Sequence, residues 1–278
     1  MTSTVGEVLQ RASLQLRQHS ESPGSDAQLL VGEALGKSRA WILAHPESEL
    51  SSDQLTEFET SLSEMLSGIA LPHVLGWWEF YGRRFQLEPQ VLIPRPETEL
   101  LIEHALIRTV PAFRILDIGT GSGCIAVTLA LEIPEARVTA SDLSWEALKV
   151  ARRNIDYYDV SQQVTLVNSN LVDAFAGQFD LICANLPYIP SDQLAQLDVA
   201  RREPKLALDG GASGTVYIYE ALEMLPRILA QGGCALFEID PDQAAGVVDK
   251  ARRSFPLAEL RIEKDLAGRD RLLVVERA

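Results

Sequence analysis

Leu116-Asp117-Ile118-Gly119-Thr120-Gly121-Ser122-Gly123-Cys124 joins a short apolar run, 114–118, to a run with helical spacing, 123–131. A strand, a glycine-rich turn and a helix in that order form the opening unit of an open α/β sheet. Glycines in such a turn permit a tight reversal and let the backbone come close to a ligand.

Downstream the alternation repeats. Segments 137–141, 164–168, 179–184 and 233–239 read as strands, and 144–157, 217–230 and 243–253 as helices. The run 179–184 is apolar almost throughout, which suits a central parallel strand covered on both faces. Segments 260–265 and 271–276 read as a closing antiparallel pair. The sum is a doubly wound, Rossmann-like α/β domain.

Upstream, residues 1–70 read as helical. Val5, Val8, Leu9 and Ala12 make one stripe. Ser25-Asp26-Ala27 starts a second helix that Gly36 stops, 38–43 gives a third, and Ser52-Asp53-Gln54 caps a fourth that runs to Gly68. Segments 74–80 and 84–91 then read as strands around Tyr81-Gly82. Pro94 and Pro96 make Ile93–Glu99 a rigid loop, with a helix over 97–108 behind it. That loop reads either as a linker or as a lid across a ligand pocket, with Arg95 and Glu97 paired or touching ligand. The expected division is a helical domain over 1–72, a hairpin and linker over 73–95, and the α/β domain over 96–278.

The chain has 278 residues, 46% hydrophobic and 23% charged, with a net charge of -14 and a pI near 4.8. Such a balance suits a soluble, monomeric cytoplasmic protein. It disfavours stable binding to nucleic acid, which ordinarily needs a basic footprint. No apolar run approaches the ~18 residues of a membrane span, and the N-terminus lacks the apolar centre of a signal peptide. Cys124, Cys183 and Cys234 have no Cys-x-x-Cys spacing and read as buried thiols; the scattered histidines suggest no metal site.

The glycine turn carries further chemistry. Asp117, just before it, can accept bonds from a ligand ammonium, directly or through water, and would repel a pyrophosphate. The Lys and Ser/Thr of a phosphate-binding P-loop are missing. Asp142 ends the next strand, where a carboxylate can take both hydroxyls of a ribose or cap the following helix with Ser144. NAD and S-adenosyl-L-methionine both fit Asp142 taken alone.

Asn185-Leu186-Pro187-Tyr188 ends the apolar strand over 179–184, at the sheet edge where open α/β sheets bind ligands. An amide or aromatic amine nitrogen has a delocalised lone pair and is a poor nucleophile. Acceptors against both of its N–H groups raise its electron density and fix its orientation. The Asn185 side-chain oxygen offers one, and a backbone carbonyl, that of Leu186, the other. Pro187 stiffens that carbonyl, and Tyr188 can stack on the planar group. No carboxylate base is expected before transfer.

Val91-Leu92-Ile93-Pro94-Arg95-Pro96-Glu97-Thr98-Glu99, followed by the glycine turn and the Asn-Leu-Pro-Tyr loop, resembles the protein-(glutamine-N5) methyltransferases of release factors, the HemK or PrmC family. Glu203-Pro204, Ala207-Leu208, Gly210-Gly211 and Gly214 resemble that family's segment after the loop. The resemblance covers nearly the whole chain. It implies a seven-stranded class I methyltransferase domain behind a small N-terminal helical bundle that recognises the substrate. It implies S-adenosyl-L-methionine as cofactor and the glutamine of the Gly-Gly-Gln loop of class 1 peptide chain release factors as target. The implied cofactor residues are Asp117, Gly119, Thr120, Gly121, Ser122, Gly123, Asp142, Leu143, Asn170, Leu171 and Asn185, with Leu171 against the adenine. Asn185, Leu186, Pro187 and Tyr188 would hold the glutamine amide.

Three positions depart from the family pattern. Leu186 stands at the first proline of Asn-Pro-Pro-Tyr, which restores an N–H and loosens the backbone. Asn170 stands where an Asp is expected, and Asp240-Pro241 where glycine tends to follow Glu238-Ile239. Asn-Leu-Pro-Tyr is also similar to the loop of ribosomal-RNA adenine N6-dimethyltransferases. Transfer to an adenine or guanine amine of RNA or DNA, and a non-catalytic cofactor-binding scaffold, are the alternative readings.

Overall fold

The computed structural model describes residues 3–108 and 113–278. The chain divides into two compact units, Met1–Trp77 and Trp78–Ala278.

The first unit is helical: α1 (Val5–Gln15), α2 (Pro23–Leu35), α3 (Arg39–Ala44), α4 (Ser52–Leu66) and α5 (Leu71–Leu75). Thr4 and Glu7 form a reciprocal capping box on α1, and Ser51 and Gln54 do so on α4. An N-cap bond of this kind is typically worth ~1 kcal/mol. Val5, Val8, Ala12, Leu30, Val31, Phe58 and Leu62 supply the buried stripes. Helix α2 starts at Pro23 rather than Ser25, because proline's fixed φ and missing N–H suit a first helical turn. Gly36 ends it in the left-handed conformation. Residues 74 and 75, expected in a strand, belong to α5. Pro72 opens that helix and left-handed Gly76 closes it.

A hairpin follows, β1 (Trp77–Phe80) and β2 (Arg83–Gln86), with all but its first residue in the second unit. A single 3-10 turn, Pro96–Thr98, leads into α6 (Glu99–Leu106). Then come β3 (Arg114–Ile118), α7 (Cys124–Glu132), β4 (Arg137–Asp142), α8 (Trp145–Tyr157), β5 (Val164–Asn168) and β6 (Phe179–Ala184). The chain ends through α9 (Ser191–Leu194), α10 (Val216–Met224), β7 (Leu229–Glu238), α11 (Ala244–Ser254), β8 (Glu259–Lys264) and β9 (Asp270–Glu276).

Seven strands form one sheet in the order β5-β4-β3-β6-β7-β9-β8. The five from β5 to β7 run parallel, and β9 is antiparallel to both β7 and β8. Side chains alternate between two cores. Ile115, Leu181 and Cys183 face one core together with Leu129 of α7; Leu116, Ile118, Ile182 and Ala184 face the other with Ile218 and Leu222 of α10. Each fully buried Leu or Ile contributes roughly 1.5–3 kcal/mol, so sheet position is set by this double coverage.

The helix expected over 217–230 ends at Met224, because Pro226 has no N–H to donate and the chain tightens into a 3-10 turn at Leu225–Arg227. Strand β7 starts at Leu229, and its pairing with β6 is irregular between Phe179 and Leu181, opposite Gly232-Gly233. All three cysteines are free and buried. No described helix is long and apolar enough to cross a membrane.

Candidate active site

Sheet order places the site. The chain leaves β3 toward β4 and β5, then returns to the other side of β3 as β6. Ligands bind at such a reversal, beyond the carboxyl ends of the two flanking strands. Here those ends are Ile118 and Ala184, which are paired in register. Gly119 and Asn185 follow them directly. Gly119 has φ 73°, and a β-carbon there would sit 3.2 Å from Leu186 Cδ2. The glycine turn and the Asn185–Tyr188 loop therefore touch.

Both border one cleft, partly open to solvent. Gly119, Gly121, Asp142, Leu143, Asn170, Leu171, Asn185, Leu186 and Pro187 line it. The described lining contains no Lys, Arg or His.

Asp142 is held from behind. Its Oδ2 accepts from the Gly121 amide (2.9 Å) and its Oδ1 from the Ser144 amide (2.8 Å). Burial raises its pKa despite these bonds. Ser144 caps α8 through its hydroxyl, so the two capping tasks are divided. Asp117 is fully buried and is not among the residues lining the cleft. Thr120 donates to its Oδ2 (2.6 Å), and its Oδ1 is buried without a hydrogen bond; the Ala126 amide of α7 lowers its pKa from outside bonding geometry. Burial dominates and pushes Asp117 up to about 7. Thr120, Ser122 and Gly123 also stand behind the wall. Ser122 is fastened through its carbonyl to Nδ2 of buried Asn154 (2.8 Å), which also exchanges bonds with the Gln86 backbone.

This set fits S-adenosyl-L-methionine. A carboxylate at the cleft, a second beneath it and apolar walls at Leu143, Leu171 and Val91 suit a cationic ligand with ribose hydroxyls and a flat base. A pyrophosphate would meet negative charge with no cation to answer it. Leu171 holds φ 46°, a costly conformation for a side chain other than glycine, on the cleft floor.

Leu186 is buried in the core beside Ile118 and Ile182. Its side chain thus supplies apolar volume against Gly119, and packing restores the order that a second proline would give. Tyr188 is not among the residues lining the cleft. It packs on the same core, its hydroxyl lies 3.4 Å from Glu238 Oε1, and burial raises its pKa. The Tyr188 carbonyl accepts from Gln243 (2.7 Å), and a β-carbon on Gly214 would meet it at 2.4 Å. The glycines after the loop thus let two backbones meet.

Asn185 Nδ2 donates to Thr98 Oγ1 (3.0 Å), and Thr98 Oγ1 donates to Glu238 Oε2 (2.6 Å). Glu238 is 2% exposed and its pKa is raised by burial. Arg95 and Glu97 do not pair with each other. Arg95 pairs with buried Glu203, which also accepts from the Ile93 amide (2.9 Å), and Glu97 lies 3.4 Å from Arg269. Gln90, Val91 and Leu92 ahead of this loop form cleft wall, as do Leu206, Ala207 and Tyr217.

Sequence reasoning missed Thr98, Glu238, Glu203 and Asn154 as parts of the site. Glu238 carried a usable signal, a charge closing an otherwise apolar central strand. Thr98 carried none.

Residues 7–76 match the family PrmC N-terminal domain, and residues 96–203 match the family Methyltransferase small domain. The chain is 40% identical to the release factor glutamine methyltransferase of Chlorobaculum tepidum, over 90% of this chain and 89% of that one. It is 34% identical to the Bacillus subtilis protein of the same name, over 97% and 96%. A methyltransferase from Pyrococcus furiosus shares the fold at a TM-score of 0.55 and 18% identity, covering 79% of this chain and 99% of that one.

Proposed function

Because this chain belongs to the release factor glutamine methyltransferase family, we propose that it methylates the side-chain amide nitrogen of a glutamine in the Gly-Gly-Gln loop of a class 1 release factor. The methyl donor is S-adenosyl-L-methionine. The observation that carries this reading is the shared cleft: Gly119 and Asn185 follow paired strand ends and line one space.

The cofactor supplies an electrophilic methyl group on a sulfonium. The protein's own residues do the rest. Asp142, oriented by two backbone amides, is placed to accept from ribose hydroxyls. Leu143 and Leu171 offer apolar faces to a flat base. Asn185 Oδ1 and the Leu186 carbonyl accept the two N–H groups of the substrate amide. That arrangement turns the nitrogen toward the methyl group and raises its electron density. With the cofactor bound, the nitrogen–carbon bond would form as the methyl carbon–sulfur bond breaks, leaving a neutral thioether, and the nitrogen would then lose one proton to solvent. Tyr188 is the packing anchor of the loop as well as a candidate stacking surface.

The cleft wall without cations and the net charge of -14 support a protein substrate over a polynucleotide. We assign substrate recognition to the N-terminal helical unit, whose sequence matches the PrmC N-terminal domain. We take the enzyme as a cytoplasmic monomer, which light scattering on the purified chain would test. The activity itself is tested by incubating a class 1 release factor with the protein and S-adenosyl-L-methionine. Peptide mass spectrometry should find one added methyl group on the glutamine of Gly-Gly-Gln. An unmodified release factor alongside a methylated nucleic acid would overturn the reading.

A further inference from the structure

We propose that Thr98 and Glu238 are positioning residues that fix which end of the Asn185 side-chain amide faces the substrate. The proposal rests on the reading above, in which Asn185 Oδ1 accepts an N–H of the glutamine.

An ionised carboxylate only accepts hydrogen bonds. Glu238, closing β7, receives the Thr98 hydroxyl on Oε2 at 2.6 Å and faces the Tyr188 hydroxyl with Oε1 at 3.4 Å. With Glu238 ionised, the one proton of Thr98 Oγ1 is committed to it. What Thr98 presents to Asn185 is lone pairs, and only an N–H can answer them. Asn185 Nδ2 does so at 3.0 Å. The amide oxygen is then the end turned away from Thr98. A reversed amide would set Oδ1 against an oxygen with no proton to give, leaving two acceptors facing each other. The direction of the whole chain, Asn185 to Thr98 to Glu238, is thus set by one charge at its far end. It also selects the substrate. An outward oxygen accepts from a glutamine amide and repels a glutamate carboxylate.

The groups facing Glu238 are Thr98, Tyr188, Arg271 and Glu97. The two hydroxyls and Arg271 favour the ionised form, whereas burial and Glu97 oppose it, and burial is the largest effect. Once protonated, Glu238 can donate to Thr98, Thr98 can donate to Asn185 Oδ1, and the amide can turn its NH2 outward. Turnover should accordingly fall on the acid side.

The test uses the full chain with a release factor and S-adenosyl-L-methionine, comparing Thr98→Val, Thr98→Ser and Asn185→Ala. Thr98→Val should lower kcat about ten- to a hundredfold, with the cofactor Kd changed by less than about twofold. Thr98→Ser, which keeps the hydroxyl, should recover kcat to within about threefold of the parent. The acid-side fall in kcat should be missing from Thr98→Val and from Glu238→Gln, which has no proton to gain. If Thr98→Val keeps parental kcat while Asn185→Ala loses it, the relay is refuted and the site reading stands. If Asn185→Ala is itself unaffected, the site reading falls. An acid limb that persists in Thr98→Val also overturns the relay.

Discussion

Gly119 and Leu186 meet so closely that a single added carbon on the glycine would lie 3.2 Å from the leucine Cδ2. This contact ties the cofactor turn to the acceptor loop. Gly119→Ala should strain a backbone at φ 73° and push the loop back at the same time. We expect a stability loss of roughly 1–2 kcal/mol, the cost of a left-handed residue with a β-carbon. We also expect a clear rise in the cofactor Kd. Thermal melts and calorimetry read the two effects separately. A variant with parental affinity would show that the turn and loop do not need this contact.

Asp142 should matter through both of its oxygens. Asp142→Ala removes the acceptor of Gly121 and Ser144 as well as the group assigned to the ribose. Charge-assisted bonds contribute about 1.5–3 kcal/mol each, so the cofactor Kd should rise at least tenfold. Asp142→Asn keeps one acceptor and should fall between. Titration calorimetry on the three proteins gives the order, and an asparagine variant weaker than alanine would contradict it.

The parts of this molecule legible in its sequence are those set by neighbours along the chain. Strands β3, β5 and β6 appear at their expected residues because short apolar runs with turn residues at each end leave few other solutions. The glycine turn and the Asn185–Tyr188 loop were visible for the same reason. Asn185, Thr98 and Glu238 form one hydrogen-bonded chain although Thr98 lies 87 and 140 residues from its two partners. No local pattern encodes such a meeting. Tyr188 shows the converse. Its motif suggested a stacking surface, yet where the ring points is decided by Glu238 and by the core built around α10 and α11.

Asp117 gives a prediction in pH. Burial lifts it to about 7, whereas an unfolded-state Asp titrates near ~3.9. A raised folded pKa means that its contribution to stability is complete below the unfolded value. That contribution is then lost as pH rises through about 7. Asp142 adds to the rise, and the Thr120 hydroxyl and Ala126 amide oppose it. A cation held above the glycine turn favours the ionised form. Cofactor binding should therefore release a proton, and affinity should increase between about pH 6 and pH 8. Calorimetry in buffers of different ionisation enthalpy measures the released proton directly. Asp117→Asn should abolish both the release and the slope.

Arg95 and Glu203 bind two walls of the cleft to each other. Glu203 has a side chain only 3% exposed, while Arg95 remains 32% exposed. The segment carrying Gln90, Val91 and Leu92 is fastened to the carboxylate through Ile93 N–H and Arg95, and Leu206 and Ala207 follow Glu203 on the opposite wall. Removing one member of a buried ion pair costs ~3–5 kcal/mol, but solvent around Arg95 screens this one. We expect about 1–2 kcal/mol for Arg95→Ala after that discount. Glu203→Gln should cost less, because a neutral amide can still accept from Ile93 and leaves no buried charge unanswered. Once Glu203 is Gln, truncating Arg95 should add little, so the double variant should be less destabilised than the two single effects combined. Denaturant titration of the four proteins supplies the cycle. Cofactor affinity should weaken in step with the coupling, since the same bonds hold the walls. Additive stability losses with unchanged cofactor Kd would mean that the pair is a surface contact and that the walls are held by packing alone.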